Sequence, residues 1–152
     1  DILFLNDSEV LIADATKGVQ YYILENKNFK FKKILPLKDG ALKLYKDRIN
    51  IYVGSKSGIY ITEFTEKKEF NIIGMIDTGT YITDMKVINN KLFYTGQQDF
   101  GVVNISNKKS TFSVLSEDMG CFTLHMNLIS EDELLLSAFC SGLKRLKLKE
   151  IK

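Results

Sequence analysis

Glycines recur along this chain at a nearly constant interval. In four segments a glycine is followed at once by an aliphatic residue, and these glycines are Gly18, Gly58, Gly101 and Gly142. The intervals between them are 40, 43 and 41 residues. A second series keeps step with the first, at intervals of 39 and 41 residues, and consists of Gly40, Gly79 and Gly120. Two series in register predict an internal structural repeat of about 40 residues.

Within each repeat, apolar residues alternate or run for about 5 to 7 positions between turn residues, which is the pattern of short β-strands. The second repeat reads as four such strands, ALKLYK, INIYVGS, IYITEF and FNIIGMI, separated by polar turns. Short strands in groups of four that repeat about every 40 residues are typical of β-propeller blades. We therefore predict an all-β fold of four-stranded antiparallel blades, in which the glycine after the loop between the second and third strands supplies a positive φ.

The repeat divides the chain into a single partial propeller domain, residues 1–152, with blades at about 1–39, 40–79, 80–120 and 121–152. The first three blades are complete, whereas the fourth ends after its third strand. Closed propellers need about 4 to 8 blades, so we expect additional blades or a second chain to complete the ring. We favour an excerpt of a longer protein or an interrupted propeller, in which two blade faces would be exposed without partners, over an unusually tight four-bladed ring closed by this chain alone.

Two segments resemble known propeller repeats. IYVGSKSGIYITEF, residues 51–64, is similar to the blades of regulator-type propellers, and QDFGVVNIS, residues 98–106, resembles LVIVD-type and WD-repeat-like blades. The resemblance covers nearly the whole chain. The chain departs from these families because it has no tryptophan, no Trp-Asp dipeptide and no Gly-His pair, so no particular family is indicated.

Composition excludes several classes of protein. Hydrophobic residues make up 45% and charged residues 26% of the 152 residues, which is typical of a folded globular chain. The 21 basic and 19 acidic residues nearly balance, so neither a nucleic acid nor a membrane partner is predicted. The first residues lack the pattern of a signal peptide, so we predict a cytoplasmic location. Cys121 and Cys140 have small or apolar neighbours, and we predict reduced thiols.

No catalytic constellation stands out. Cys121 and His125 fall on one face of a predicted strand, but four residues of strand span roughly 13 Å, too far for one metal ion or a direct hydrogen bond. The sequence has no phosphate-binding glycine loop and no nucleophile elbow. We therefore predict a protein that is not an enzyme and that holds no metal and no cofactor.

Function on such a scaffold is expected in the loops at one end of the blades. The loops between second and third strands and those that join successive blades contribute Lys17, Lys38, Asp39, Lys56, Asp77, Tyr81, Gln98, Asp99, Phe100, Glu117 and Asp118. Phe100 stands in a polar loop, where it either anchors a partner or covers the blade as a hydrophobic cap. We predict a non-enzymatic scaffold module that binds a protein or peptide through these loops.

Two alternatives remain open. One is a sensory or ligand-binding propeller of a signalling protein, as the regulator-type resemblance implies. The other is an enzyme whose active site lies at the mouth of the propeller channel, with some of its residues supplied by missing blades.

Overall fold

The computed structural model describes residues 1–97, 99–105, 114–118, 122–130, 133–140 and 142–148. Over these residues the chain forms fifteen β-strands and no α-helix. The strands make three four-stranded sheets and one three-stranded sheet, all antiparallel. The prediction of an all-β fold made of propeller blades, three complete and a fourth with three strands, is confirmed.

Each sheet is built from consecutive strands, numbered here along the chain. Blade 1 contains β1 (Ile2–Phe4), β2 (Glu9–Asp14), β3 (Gly18–Glu25) and β4 (Asn28–Pro36). Blade 2 contains β5 (Lys43–Asp47), β6 (Asn50–Gly54), β7 (Gly58–Phe64) and β8 (Phe70–Asp77). Blade 3 contains β9 (Asp84–Ile88), β10 (Lys91–Thr95), β11 (Asp99–Asn104) and β12 (Val114–Asp118). Blade 4 contains β13 (Thr123–Ser130), β14 (Glu133–Ala138) and β15 (Gly142–Lys147).

The chain divides into two compact units, Asp1–Ile82 and Thr83–Lys152. Unit 1 holds blades 1 and 2, and its core forms where alternate residues of the two sheets meet. Blade 1 and the segment after it contribute Leu11, Val19, Tyr21, Leu35, Leu37 and Ala41, and blade 2 contributes Leu44, Ile51 and Val53. Unit 2 has a core of the same kind, formed by Phe93, Phe100, Val102, Met126, Leu134 and Leu136.

In each unit, an aspartate at the start of the first blade's first strand joins that blade to the next one. Asp1 accepts a hydrogen bond from the backbone N–H of Leu44 at 2.9 Å, and Asp84 accepts one from the N–H of Met126 at 2.9 Å. A basic side chain lies beside each carboxylate, Lys43 at 3.7 Å and His125 at 3.8 Å. The two units therefore use the same interblade contact, which the glycine repeat alone did not indicate.

The face of blade 1 that points away from its core is apolar. The strand register places Phe4, Val10, Tyr22 and Phe31 in one row across the sheet. Phe4 is 63% exposed and Phe31 54% exposed, and the rings of Tyr22 and Phe31 pack edge to face at 5.6 Å. Phe4 and Phe31 are therefore exposed at the two ends of the row, while Val10 is buried, and exposed apolar side chains grouped on a sheet face are typical of interaction surfaces.

The glycines of the first series are required for two different reasons. Gly18 and Gly142 have φ values of +109° and +70°, as predicted. Gly58 and Gly101 do not have positive φ, so the prediction is wrong for these two. At Gly58 a Cβ atom would lie 2.2 Å from the carbonyl oxygen of Ile76, and at Gly101 it would lie 2.2 Å from the ring of Tyr94. At Gly58 and Gly101, glycine is therefore required because a side chain would clash with its neighbours, not because the backbone has a positive φ.

Cys140 forms a disulfide bond, and none of the described cysteines is a free thiol. The sequence has one other cysteine, Cys121, which lies outside the described residues. The prediction of reduced thiols is therefore wrong, because a cysteine count that rules out a disulfide framework does not rule out a single bridge. Disulfides are typical of oxidising compartments and rare in the cytosol. The cytoplasmic location stays a prediction, and this bond weighs against it.

Candidate binding surfaces

Six of the predicted binding residues lie at one end of unit 1. Lys17 is in the β2–β3 loop and Lys56 in the β6–β7 loop, while the segments that follow β4 and end β8 hold Lys38, Asp39, Asp77 and Tyr81. We call these six residues the rim. Backbone hydrogen bonds join its loops, from Leu37 N–H to the Lys17 carbonyl and from Gly79 N–H to the Ser57 carbonyl. The structure therefore brings together the residues of unit 1 that the sequence predicted.

The acidic groups at this end of unit 1 are bound by the chain's own donors. Asp39 accepts a hydrogen bond from the Ser57 hydroxyl at 2.6 Å, and Asp77 accepts one from the N–H of Gly79 at 3.0 Å. The neighbouring Asp14 accepts hydrogen bonds from the hydroxyl and N–H of Thr16. These bonds to Thr16 lower the pKa of Asp14.

The lysines of the rim are exposed, and within the described part of the chain only Lys17 of the three interacts electrostatically with a neighbouring carboxylate, that of Asp14. Lys17, Lys38 and Lys56 are exposed, and none of them forms an ion pair with a carboxylate of the described residues. Tyr81, also exposed, adds an aromatic side chain of the kind that is enriched in protein interfaces. The rim therefore presents ammonium groups and one aromatic ring to an approaching partner.

The predicted residues of unit 2 have different outcomes. Phe100 is only 3% exposed, and its ring stacks on Phe93 with centroids 6.1 Å apart. The reason is that β11 begins before Phe100, so strand alternation places this side chain on the same core face as Val102. The prediction that Phe100 is an exposed anchor is wrong, and Phe100 is instead a hydrophobic cap within the core.

The acidic residues that the sequence predicted as binding residues in unit 2 lie on two paired strands. Asp99 and Asp118 are directly opposite each other in the β11–β12 register, and Glu117 is opposite Phe100. Asp99 is half-buried. Gln98 lies outside the described residues.

His125 lies beside Asp84, and Cys121, with which the sequence grouped it, lies outside the described residues. The Nδ1 atom of His125 lies 3.8 Å from Asp84 Oδ2, and Asp84 is already held by the N–H groups of Met85 and Met126. No group of three or more histidine, cysteine, aspartate or glutamate residues in the described part of the chain could hold a metal ion.

Sequence reasoning missed a cleft at the opposite end of unit 1. This cleft has a volume of about 290 Å³ and is lined by Leu5, Asn6, Glu9, Lys46, Arg48, Ile49, Ile51, Phe64, Thr65, Glu66 and Lys68. Its walls are the hairpin turns of both blades. The one local signal in the sequence was Arg48-Ile49 in a hairpin turn, where Asn or Gly is usual.

Glu9 in the wall of the cleft is held by three donors. Lys68 Nζ lies 2.7 Å from Oε1, Asn6 Nδ2 donates to Oε2 at 2.6 Å, and the Tyr21 hydroxyl donates to Oε1. The hydrogen bond from Lys68, followed by that from Tyr21, lowers the pKa of Glu9 below its ordinary value of 4.5. Burial, followed by the hydrogen bond to Glu9, raises the pKa of Tyr21.

We expect Glu9→Gln to destabilise the chain at neutral pH by about 1–2 kcal/mol, because hydrogen bonds to a charged acceptor are lost. The folded-state pKa of Glu9 is lowered, so its contribution is complete above pH 4.5 and is lost as the pH falls through the lowered value. Urea unfolding at several pH values should show the gap between wild type and Glu9→Gln closing in acid. A constant gap across this range would contradict the account, and Glu69→Gln, at an exposed carboxylate, is the control.

Comparison with known proteins identifies the class of fold and no family. No family model matches this sequence, and no curated protein matches it. The structure is similar to the computationally designed Ika4 protein, with a TM-score of 0.71 and 8% identity over 95% of this chain and 88% of that one. It is also similar to the N-terminal domain of Nup159, a β-propeller, with a TM-score of 0.57 and 14% identity.

A second structure that contains Nup159 is also similar. It holds Dbp5 of S. cerevisiae bound to Nup159, Gle1, IP6 and ADP, and the match has a TM-score of 0.55 and 13% identity. Each of these two matches covers 91% of this chain but only 40% of the other. At such low identity the likeness shows the propeller fold alone.

Among the described residues, no helix is long and apolar enough to cross a membrane.

Proposed function

We propose that this chain is a non-enzymatic interaction module made of β-propeller blades, and that it binds a protein or peptide partner through the rim of unit 1. The observation that carries the proposal is the imbalance of the rim. Its carboxylates are occupied by hydrogen bonds from Ser57 and Gly79, while Lys17, Lys38 and Lys56 remain exposed and without an ion pair among the described residues. An acidic segment beside an apolar group is the partner that this arrangement fits.

The fold supports the proposal in two ways. Loops on a rigid β scaffold are where binding residues concentrate in proteins of this kind. One structure of similar fold holds Nup159 in a complex with Dbp5 and Gle1, so a propeller of similar fold occurs in a protein assembly. We extend only the class of function, protein binding, from that structure to this chain.

The same proposal includes a completed propeller. The row formed by Phe4, Val10, Tyr22 and Phe31 on blade 1 has the apolar character of the sheet faces that pack together inside unit 1. Further blades or a second chain would cover it, as neighbouring blades cover one another in propellers. The rim lies at the end of the blades and would stay accessible in such a ring.

A photoreactive amino acid at the position of Tyr81 tests the rim. In the cells that make this protein, irradiation should join the rim to its partner, and the partner can then be identified and purified. Changing Lys17, Lys38 and Lys56 together to Glu should weaken the binding of that partner about tenfold or more, because three favourable charges become unfavourable. Binding would be measured by isothermal titration calorimetry.

The matched control carries Glu at Lys27, Lys33 and Lys67, three exposed lysines outside the rim. This variant should bind like the wild type. The proposal fails if no protein is joined at position 81, or if the rim variant and the control bind the partner equally well.

A further inference from the structure

The cleft of unit 1 is formed by three hairpin turns and is separate from the rim. The turns between β1 and β2, between β5 and β6, and between β7 and β8 all line it. The apolar part of the lining is Leu5, Ile49, Ile51 and Phe64. A volume of about 290 Å³ is near the lower limit for small-molecule pockets, so the cleft fits one large side chain better than a whole cofactor.

Some of the charged side chains around the cleft are paired with each other, and others are available to a ligand. Lys68 is bound to Glu9 at 2.7 Å, so these two charges compensate each other. Lys46 and Arg48 are exposed and form no ion pair with a carboxylate of the described residues. Glu66 is the remaining acidic residue of the lining. Two free cations therefore stand beside an apolar floor.

The turn that carries these cations breaks a local rule of β-hairpins. Arg48 has a φ of +55°, a conformation that costs about 1 kcal/mol for a residue with a Cβ atom. Ile49 beside it is 69% exposed. The turn between β9 and β10 places Asn89 and Asn90 at positive φ instead, and asparagine tolerates that conformation well. The β5–β6 turn therefore displays an arginine and an isoleucine at the mouth of the cleft.

We propose that this cleft binds an extended acidic peptide segment in which one large apolar side chain is flanked by carboxylates. The apolar side chain would enter between Leu5, Ile51 and Phe64. The flanking carboxylates would pair with Lys46 and Arg48, where the planar guanidinium can hold a carboxylate by two parallel hydrogen bonds. Ile49 would cover the apolar side chain. The proposal does not depend on the rim, which lies at the other end of unit 1.

The test is an NMR titration of the isotope-labelled 152-residue chain. The probe is a synthetic peptide of about ten residues, a length that an extended segment needs to cross such a groove, with a central phenylalanine flanked on both sides by glutamates. We expect saturable shift changes in the amides of Leu5, Arg48, Ile49 and Lys68. Lys46→Glu combined with Arg48→Glu should raise the Kd about tenfold, and Ile49→Ala should raise it about threefold.

Two control variants keep the test specific. Lys67→Glu changes an exposed lysine in the β7–β8 turn that does not line the cleft, and Ile73→Ala truncates an exposed isoleucine on β8. Both should bind the probe like the wild type, and their folded spectra can be compared directly with those of the cleft variants.

Four results would overturn the proposal. The first is the absence of any saturable shift change, and the second is shift changes confined to Lys17, Lys38 and Lys56 of the rim. The third is equal binding of a peptide with glutamines in place of the glutamates. The fourth is tighter binding of a single-stranded oligonucleotide at the same amides, which would assign the cations to phosphate groups instead.

Discussion

Gly18→Ala should be among the most damaging single changes in unit 1, with a loss of about 3 kcal/mol or more of unfolding free energy. The glycine has a φ of +109°, and a Cβ atom there would lie 2.2 Å from the Leu35 carbonyl oxygen. The alanine would therefore be destabilised both by its backbone conformation and by a clash with the main chain, which cannot rotate away as a side chain can.

Three other glycines of unit 1 separate these two causes. Gly79 has a φ of +67° but no atom within 4 Å of the Cβ position, so its change to Ala should cost about 1 kcal/mol. Gly58 lacks the positive φ but has the Ile76 oxygen at 2.2 Å, so its change should cost about 2–3 kcal/mol. Gly74 has neither problem, and its change should be neutral or stabilise by about 0.5 kcal/mol.

Urea unfolding of the four variants measures this series. The expected order of stability, from highest to lowest, is Gly74→Ala, Gly79→Ala, Gly58→Ala and Gly18→Ala. A Gly18→Ala chain that fails to fold agrees with this order. Equal stability of the Gly18 and Gly74 variants would show that the backbone around Gly18 is not as tightly packed as the structure places it.

The glycine series shows how much of the fold could be predicted from sequence. The spacing of the glycines and the alternation between them predicted the blades, because these patterns depend on local backbone rules. The spacing could not say why each glycine is needed. At Gly101 the reason is the Tyr94 ring on the neighbouring strand, and such a contact is visible only once strand register is known.

For the candidate sites too, the features set by local sequence could be predicted, and those set by contacts between distant strands could not. The loops of the rim could be predicted because they connect recognisable strands. The sequence predicts Phe100 in a loop because the ends of strands are poorly marked in sequence, whereas β11 begins at Asp99 and so places Phe100 within the strand and in the core. The cleft brings together the β1–β2 turn of blade 1 and two turns of blade 2, which are far apart in the chain, so no local pattern could reveal it. Its one local trace was the unusual turn at Arg48.

The apolar face of blade 1 gives the second large effect. Phe4 and Phe31, at the two ends of the row on blade 1, are exposed in the 152-residue chain, whereas Val10 between them is buried and Tyr22 is half-buried. Two exposed aromatic rings on one sheet face favour association with another surface in water. We therefore expect the chain alone to form dimers or larger assemblies. Phe4→Lys combined with Phe31→Lys should abolish this association, because two charges would be buried without partners in the contact.

The solution mass of the 152-residue chain, measured by size-exclusion chromatography with light scattering, tests whether these blades are part of a completed propeller. We expect a mass above 17.4 kDa that rises with protein concentration and returns to the monomer value in the Phe4 and Phe31 double variant. Ile73→Lys, at an exposed isoleucine outside the row, should associate like the wild type. A wild-type chain that stays monomeric at 17.4 kDa from micromolar to millimolar concentration would contradict the claim, since its blade face would then need no partner.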